Sequence, residues 1–198
     1  MTYAIIGFGD VGQALAGMFA RKGIEVSVAS RRSPDAHAGR ARAIGSTVKP
    51  VTLDEALKAD TVLLALPYAQ ARELADLTDW RDKIVIDVTN AYGVPVDDLG
   101  GQPSSMATAQ ALVGSRLVKA WNHLPAAKLA QDPRIGGGRR VIFVSSDDDA
   151  SNVVARLVDH LGFAPVQLGK LAEGGALVQA HGQNWAPLIF QDLVKFPN

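Results

Sequence analysis

Tyr3-Ala4-Ile5-Ile6-Gly7-Phe8-Gly9-Asp10-Val11-Gly12 decides how this chain is read. Ala4, Ile5 and Ile6 form an unbroken apolar run, the pattern of a strand buried on both faces. Three glycines follow in the spacing Gly-x-Gly-x-x-Gly. Val11, Ala14, Leu15, Met18, Phe19 and Lys22 then recur at helical spacing, apolar until the lysine. Strand, glycine turn and helix in this order make a turn that binds a dinucleotide pyrophosphate. Gly7 permits the tight turn, Gly9 leaves room for a phosphate to approach the backbone, and Gly12 lets the helix pack on the strand. The helix start offers unpaired N–H groups and a positive dipole end. Phe8, Asp10 and Val11 ride on the same turn and join the expected cofactor-binding set.

Working outward, Gly23 closes this helix and Ile24 to Ala29 reads as a second strand, followed by Ser30-Arg31-Arg32. An acidic residue at this place would bind the ribose hydroxyls of NAD. None occurs before Asp35. The two guanidinium forks and the Ser30 hydroxyl match phosphate oxygens instead. The residues therefore predict a site for NADP(H), with its additional ribose phosphate.

The bulk composition narrows the class. Twenty basic side chains balance twenty acidic ones over 198 residues, which argues against a general nucleic-acid binder. The absence of cysteine excludes disulfides, Cys-based zinc sites and thiol chemistry, and suits a cytoplasmic setting. The N-terminus lacks a basic leader, and the longest apolar run, Thr61 to Ala69, is short and contains Pro67. No signal peptide or membrane association is expected. No His/Asp/Glu grouping has metal-ligand spacing, so no metal is expected.

Strand and helix patterns alternate along the chain, which predicts an α/β fold, a Rossmann-type doubly wound parallel sheet with a small α/β C-terminal part. Asp35 to Ile44 reads as a polar helix stopped by Gly45, and Thr47 to Val51 as a weak strand. Thr52 and Glu55 form a capping box over a helix from Leu53 to Ala59. Thr61 to Leu66 is a buried strand, Tyr68 to Leu77 a helix, Lys83 to Val88 a strand, Ser104 or Ser105 a helix start, and Arg116 to Trp121 a sixth strand. Beyond it come a short helix from Pro125 to Gln131, a flexible loop at Gly136 to Gly138 and a strand from Arg139 to Ser145. Asp147 to Asp149 cap a helix striped by Ala150, Val153, Val154, Leu157, Val158 and Leu161, and Ala164 to Leu168 is a last strand. The apolar tail from Leu171 to Val194 is expected to pack on the core or on a second subunit. Residues 1–122 are taken as the NADP-binding domain and residues 123–198 as a small acceptor or dimerisation part.

Ligands of open parallel sheets bind at the carboxyl ends of the strands. Those ends are Gly7-Phe8, Ser30-Arg31, Leu66-Pro67-Tyr68, Thr89-Asn90 and Asn122-His123. Pro67 and Tyr68 are expected beside the cofactor, and Asn90 and Asn122 as amide partners of the nicotinamide or of an acceptor. Asn122 and His123 are the candidate catalytic residues. His37, in a polar segment, and His160, off its helix's apolar stripe, are expected at the surface.

Several motifs together resemble the NADP oxidoreductases that depend on the deazaflavin coenzyme F420. They are Ile6 to Gly12, Ala29-Ser30-Arg31-Arg32, Leu64-Ala65-Leu66-Pro67-Tyr68, Asp87-Val88-Thr89-Asn90, Leu117-Val118-Lys119-Ala120-Trp121-Asn122, the stretch from Ser145 to Asp149 with Leu161-Gly162-Phe163, and Leu171-Ala172-Glu173-Gly174-Gly175. The oxidoreductase domain of membrane ferric reductases looks similar as well. The resemblance implies a Rossmann domain holding NADP(H), a small C-terminal part at the acceptor pocket, a small-molecule acceptor and a homodimer. Ala91-Tyr92-Gly93 and His123-Leu124 depart from the family pattern beside that pocket. Coenzyme F420 or a flavin is therefore one acceptor class. NADP(H) binding without turnover, or reduction of a small carbonyl or imine with His123 or Tyr68 as proton donor, are the others.

Overall fold

The computed structural model describes residues 1–95, 97–180 and 194–196. Its ten-stranded sheet is built on β1 (Tyr3–Ile6), β2 (Val26–Ala29), β3 (Val48–Pro50), β4 (Thr61–Leu64), β5 (Ile84–Asp87) and β6 (Arg116–Ala120). These run parallel in the order β3-β2-β1-β4-β5-β6. The order reverses between β1 and β4, and this switch opens the crevice where an open α/β sheet takes its ligand.

Alternate residues of each strand face opposite layers. Ile5, Leu63, Ile86 and Val118 enter one core with Leu15, Met18 and Phe19 of helix α1 (Asp10–Arg21) and Val154, Leu157 and Val158 of helix α7 (Ala150–His160). Ala4, Ile6, Val62, Leu64, Val85 and Leu117 enter the other, with Leu57, Leu74, Trp80 and Leu112. Each core thus supplies a stripe of fully buried side chains, each worth about 1.5–3 kcal/mol of burial.

Local signals set most of the connections. The capping box at Thr52 is present: Glu55 N–H donates to Thr52 Oγ1 and Thr52 N–H donates to Glu55 Oε2. The helix it starts, α3 (Leu53–Ala56), is shorter than expected. Helix α2 (Asp35–Ile44) has its expected bounds. The helix read as Tyr68 to Leu77 divides into α4 (Tyr68–Arg72) and a 3₁₀ turn at Ala75–Leu77. The Trp80 indole N–H donates to the carbonyls of Leu74 and Ala75 at 3.3 and 3.1 Å, taking acceptors a longer helix would use. Helix α5 (Ser104–Ala111) is capped from far along the chain, Ser104 N–H donating to Gln179 Oε1 at 2.7 Å.

Past helix α6 (Ala126–Leu129) the sheet continues. The glycines read as a flexible loop instead turn a short hairpin, with Gly136 and Gly137 at positive φ between β7 (Arg134–Ile135) and β8 (Gly138–Ser146). β8 lies antiparallel beside β6, β9 (Ala164–Gln167) runs parallel to β8, and β10 (Val194–Lys195) pairs antiparallel with it. The three aspartates divide their work: Asp148 Oδ1 accepts from Ala150 N–H at 2.7 Å, and Asp147 Oδ1 accepts from Leu171 N–H at 3.1 Å. Asp149 occupies the N-cap of α7 without a side-chain cap bond. The tail beyond Leu171 opens with a π-helical turn at Leu171–Gly175; His181 and Trp185 lie outside the described residues.

Candidate active site

The three turn glycines are required for different reasons. At Gly7, φ is +102° and an added Cβ would meet Ala65 O at 2.1 Å. At Gly12 an added Cβ would meet Gly7 O at 1.9 Å, because the first turn of α1 closes onto the end of β1. The protein's own packing therefore explains both. At Gly9 φ is −78° and an added Cβ meets nothing within 4 Å. Nothing in the described fold requires that residue to be glycine; a ligand close to the backbone would. Gly9 is also the N-cap of α1 and makes no side-chain cap, so the first N–H groups of the helix are left to the cleft.

Two cavities meet across this turn. The first, about 220 Å³, is lined by Gly7, Ser30, Arg31, Gln70 and Glu73 and by the apolar Leu53, Leu66, Leu74 and Leu77. Arg31 reaches over it to Glu73 at 3.2 Å, with both side chains largely exposed. Arg32 lies outside the lining; its N–H donates to Ser30 Oγ at 3.0 Å. Ser30 Oγ also lies 2.6 Å from His37 Nε2. His37 is not at the surface as its polar segment suggests: it is buried, with its ring edge-on to Phe8 at 5.3 Å. Burial lowers its pKa, and Arg32 and Arg40 lower it further. Phe8 is thus turned into the protein, away from the cleft.

The second cavity, about 490 Å³, is lined by Gly9, Asp10 and Val11, by Leu66 and Pro67, by Val88, Thr89, Asn90 and Tyr92, and by Trp121, Asn122, Leu124 and Pro125. Asn90 Nδ2 donates to Asn122 O at 2.7 Å, and Asn122 Nδ2 donates to Asn90 Oδ1 at 3.1 Å. The tail joins this pair, Asn122 Nδ2 donating to Val178 O at 2.8 Å and Ala180 N–H donating to Asn90 Oδ1 at 3.3 Å. Asn122 is turned into place by Trp121, a fully buried tryptophan at φ +57°. A non-glycine residue there carries strain of about 1–2 kcal/mol.

Tyr68 and His123 stand apart from this lining. The Tyr68 ring packs with Ala91 and Leu99, burial pushes its phenol pKa up, and its hydroxyl has no partner among the described residues. His123 is buried at the far side of β6. Its Nε2–H donates to Val141 O at 3.2 Å and its ring lies 5.1 Å from Phe143. Burial brings its pKa down to about 4, against a weaker opposing effect of that hydrogen bond.

Beneath the second cavity lies a feature the sequence reading does not single out. Lys119 Nζ and Asp87 Oδ2 pair at 3.0 Å with both side chains fully buried. Lys119 also donates to Thr89 O, while Asp87 Oδ1 accepts from Thr89 N–H at 2.9 Å and Thr89 Oγ1 at 2.7 Å. The pair thereby fixes Thr89 and the turn that carries Asn90. Its signal in the sequence is one aspartate that closes the apolar strand β5 and one lysine inside β6, between Val118 and Ala120.

Residues 2–91 match the family model described as NADP oxidoreductase, coenzyme F420-dependent. The whole fold is similar to a hypothetical protein of Sinorhizobium meliloti, with 41% identity, a TM-score of 0.89 and coverage of 98% of this chain and 96% of that one. It is also similar in fold to a candidate F420-dependent NADP reductase of an Arthrobacter species (22% identity, TM-score 0.72, 100% and 99% covered). A reductive aminase of Aspergillus terreus shares the fold over 88% of this chain and 56% of its own (20% identity, TM-score 0.62). Among curated proteins, the rat metalloreductase STEAP3 is 28% identical over 174 residues, 85% of this chain. The chain spans only about a third of that relative's length, 34%. The matched residues 2–91 hold the glycine turn and the arginine loop, and it is this part of the chain that the model of the coenzyme F420-dependent NADP oxidoreductases describes.

Proposed function

We propose that the chain moves hydride between the nicotinamide of NADP(H) and a flavin-type ring, of which a deazaflavin is the first candidate, seated in the cavity of Asn90 and Asn122. The observation that carries this reading is the composition of that cavity. Its described lining is apolar apart from Asp10, Thr89, Tyr92 and the two mutually bonded asparagines. Neither His123 nor Tyr68, the proton donors that carbonyl or imine reduction would call on, lines it. A bound nicotinamide supplies the hydride, and transfer to a ring acceptor asks little acid–base chemistry of the protein. What the protein contributes is position. Gly9 and the open start of α1 would hold the pyrophosphate, Ser30 and Arg31 the ribose phosphate, and Leu66, Pro67 and Val11 the passage between the cavities. Val178 and Ala180, bonded to the asparagines, support residues 123–198 as the wall of the acceptor side.

The test is a screen of NADPH oxidation with deazaflavin, FMN, FAD, ferric chelates and a cyclic imine. Ferric chelates belong in it because the rat relative is named a metalloreductase. Oxidation by ring acceptors is expected. Turnover with the imine alone would overturn the proposal, as would tight NADPH binding with no turnover by any acceptor, the behaviour of a binding protein.

A further inference from the structure

One half-buried, polar contact of the cofactor half has no task in the proposed hydride transfer. Ser30 lines the cavity beside Arg31, and its hydroxyl oxygen is met by two protein nitrogens, Arg32 N–H at 3.0 Å and His37 Nε2 at 2.6 Å. A hydroxyl has one hydrogen to give and two lone pairs to receive. With the proton on Nε2, both lone pairs are occupied from the protein side and the hydroxyl hydrogen is left to point into the cavity. With the proton on Nδ1, Ser30 gives its hydrogen to His37 and becomes a poor partner for an anion.

His37 is placed to hold the first arrangement. Its ring is buried on helix α2 and wedged edge-on against Phe8 of the glycine turn. The charged groups acting on it are Arg32 from the loop after β2 and Arg40 from its own helix, both cationic. An anion in the cavity offsets that repulsion and favours a proton on Nε2.

We propose that His37 is a positioning residue for cofactor choice: it holds Ser30 so that the hydroxyl donates to the ribose phosphate, and so helps separate NADPH from NADH. The proposal rests on the NADP(H) reading of the cleft. Dissociation constants of NADPH and NADH are measured by calorimetry on the full chain and on His37→Phe, His37→Gln, Ser30→Ala and the His37→Phe/Ser30→Ala double variant. Phenylalanine keeps the contact with Phe8 and removes the nitrogen, and circular dichroism checks the fold; His37→Leu takes its place should it not fold.

Losing a hydrogen bond to a charged group corresponds to roughly tenfold in affinity. The NADH-to-NADPH ratio of dissociation constants is therefore expected to fall about tenfold in His37→Phe. It should fall no further in the double variant, because the two residues act as one unit. His37→Gln, whose amide N–H reaches toward Ser30, should restore most of the ratio. A wild-type preference for NADPH that survives His37→Phe overturns the role of His37 alone, as do additive losses in the double variant. Equal wild-type affinities overturn the NADP(H) reading itself, so the two failures are told apart.

Discussion

Asp87 and Lys119 face each other across neighbouring parallel strands, in register, as a fully buried ion pair at 3.0 Å. Two charges this deep stabilise little against an apolar pair of equal size, yet removing only one strands the other. Lys119→Met and Asp87→Leu are each expected to cost roughly 3–5 kcal/mol of stability, and the double variant far less than their sum. Urea unfolding of the four proteins checks this; additive single costs would show that the pair does not act as a unit.

For the arginine loop, Arg31→Ala is expected to weaken NADPH about ten- to a hundredfold while changing NADH little. Glu73 accepts from Arg31 across the same cavity and competes with a phosphate for it. Glu73→Gln should therefore tighten NADPH. Titration of both nucleotides separates these effects, and weaker NADPH binding by Glu73→Gln would show that Glu73 holds the arginine in place instead of competing.

The glycine turn gives a sharper contrast. Gly9→Val should remain folded and lose NADPH binding, since a Cβ there meets nothing of the protein within 4 Å and Gly9 lines the cleft. Gly12→Ala should lose stability first, because its Cβ would collide with the Gly7 carbonyl. Calorimetry paired with thermal unfolding distinguishes them. A folded Gly9→Val that still binds NADPH would remove the turn from the site.

His123 makes the fold sensitive to acid. Its pKa lies at about 4 when folded, below its ordinary value of about 6.5. The unfolded chain therefore binds a proton that the folded chain refuses between these values. The stability is fully present above about pH 6.5 and is lost as pH falls toward 4, by roughly 3 kcal/mol. His123→Phe should flatten the denaturation midpoint over that window without moving the dissociation constant for NADPH.

Asn122→Ala tests the acceptor side. It removes the amide that bonds Asn90 and Val178, so the acceptor Michaelis constant or the turnover at saturating NADPH should change in a folded protein. Kinetics identical to wild type would move the acceptor elsewhere.

Much of this was legible in the residues because local chemistry decides it. The Gly7 to Gly12 turn, the Thr52–Glu55 capping box and the apolar strands each carry their own signal, and the parallel direction of the first six strands follows from their alternation with helices. What was not legible depends on neighbours far along the chain. The direction of β8 leaves no mark on its composition. His37 and Ala41 are the two buried residues of α2, too few to make a visible stripe, so the helix reads as solvated throughout. Asp87 and Lys119 are isolated charges in separate strands until the pairing of β5 with β6 brings them together. Tyr68 and His123 sit at strand ends as expected, but the backbone turns their side chains into the protein.

The two asparagines bind each other reciprocally across the join between β5 and β6, and this constrains how the site can change over descent. Asn90 falls within the family match and Asn122 beyond it. Replacing Asn90 takes the side-chain donor from Asn122 O and one of the two acceptors from Asn122 Nδ2, and replacing Asn122 takes one of the two donors from Asn90 Oδ1, at about 1–3 kcal/mol. The pair should therefore drift together: among homologues that keep this fold, replacement of one asparagine is expected to travel with replacement of the other, and a new acceptor is expected to arrive by that coupled step.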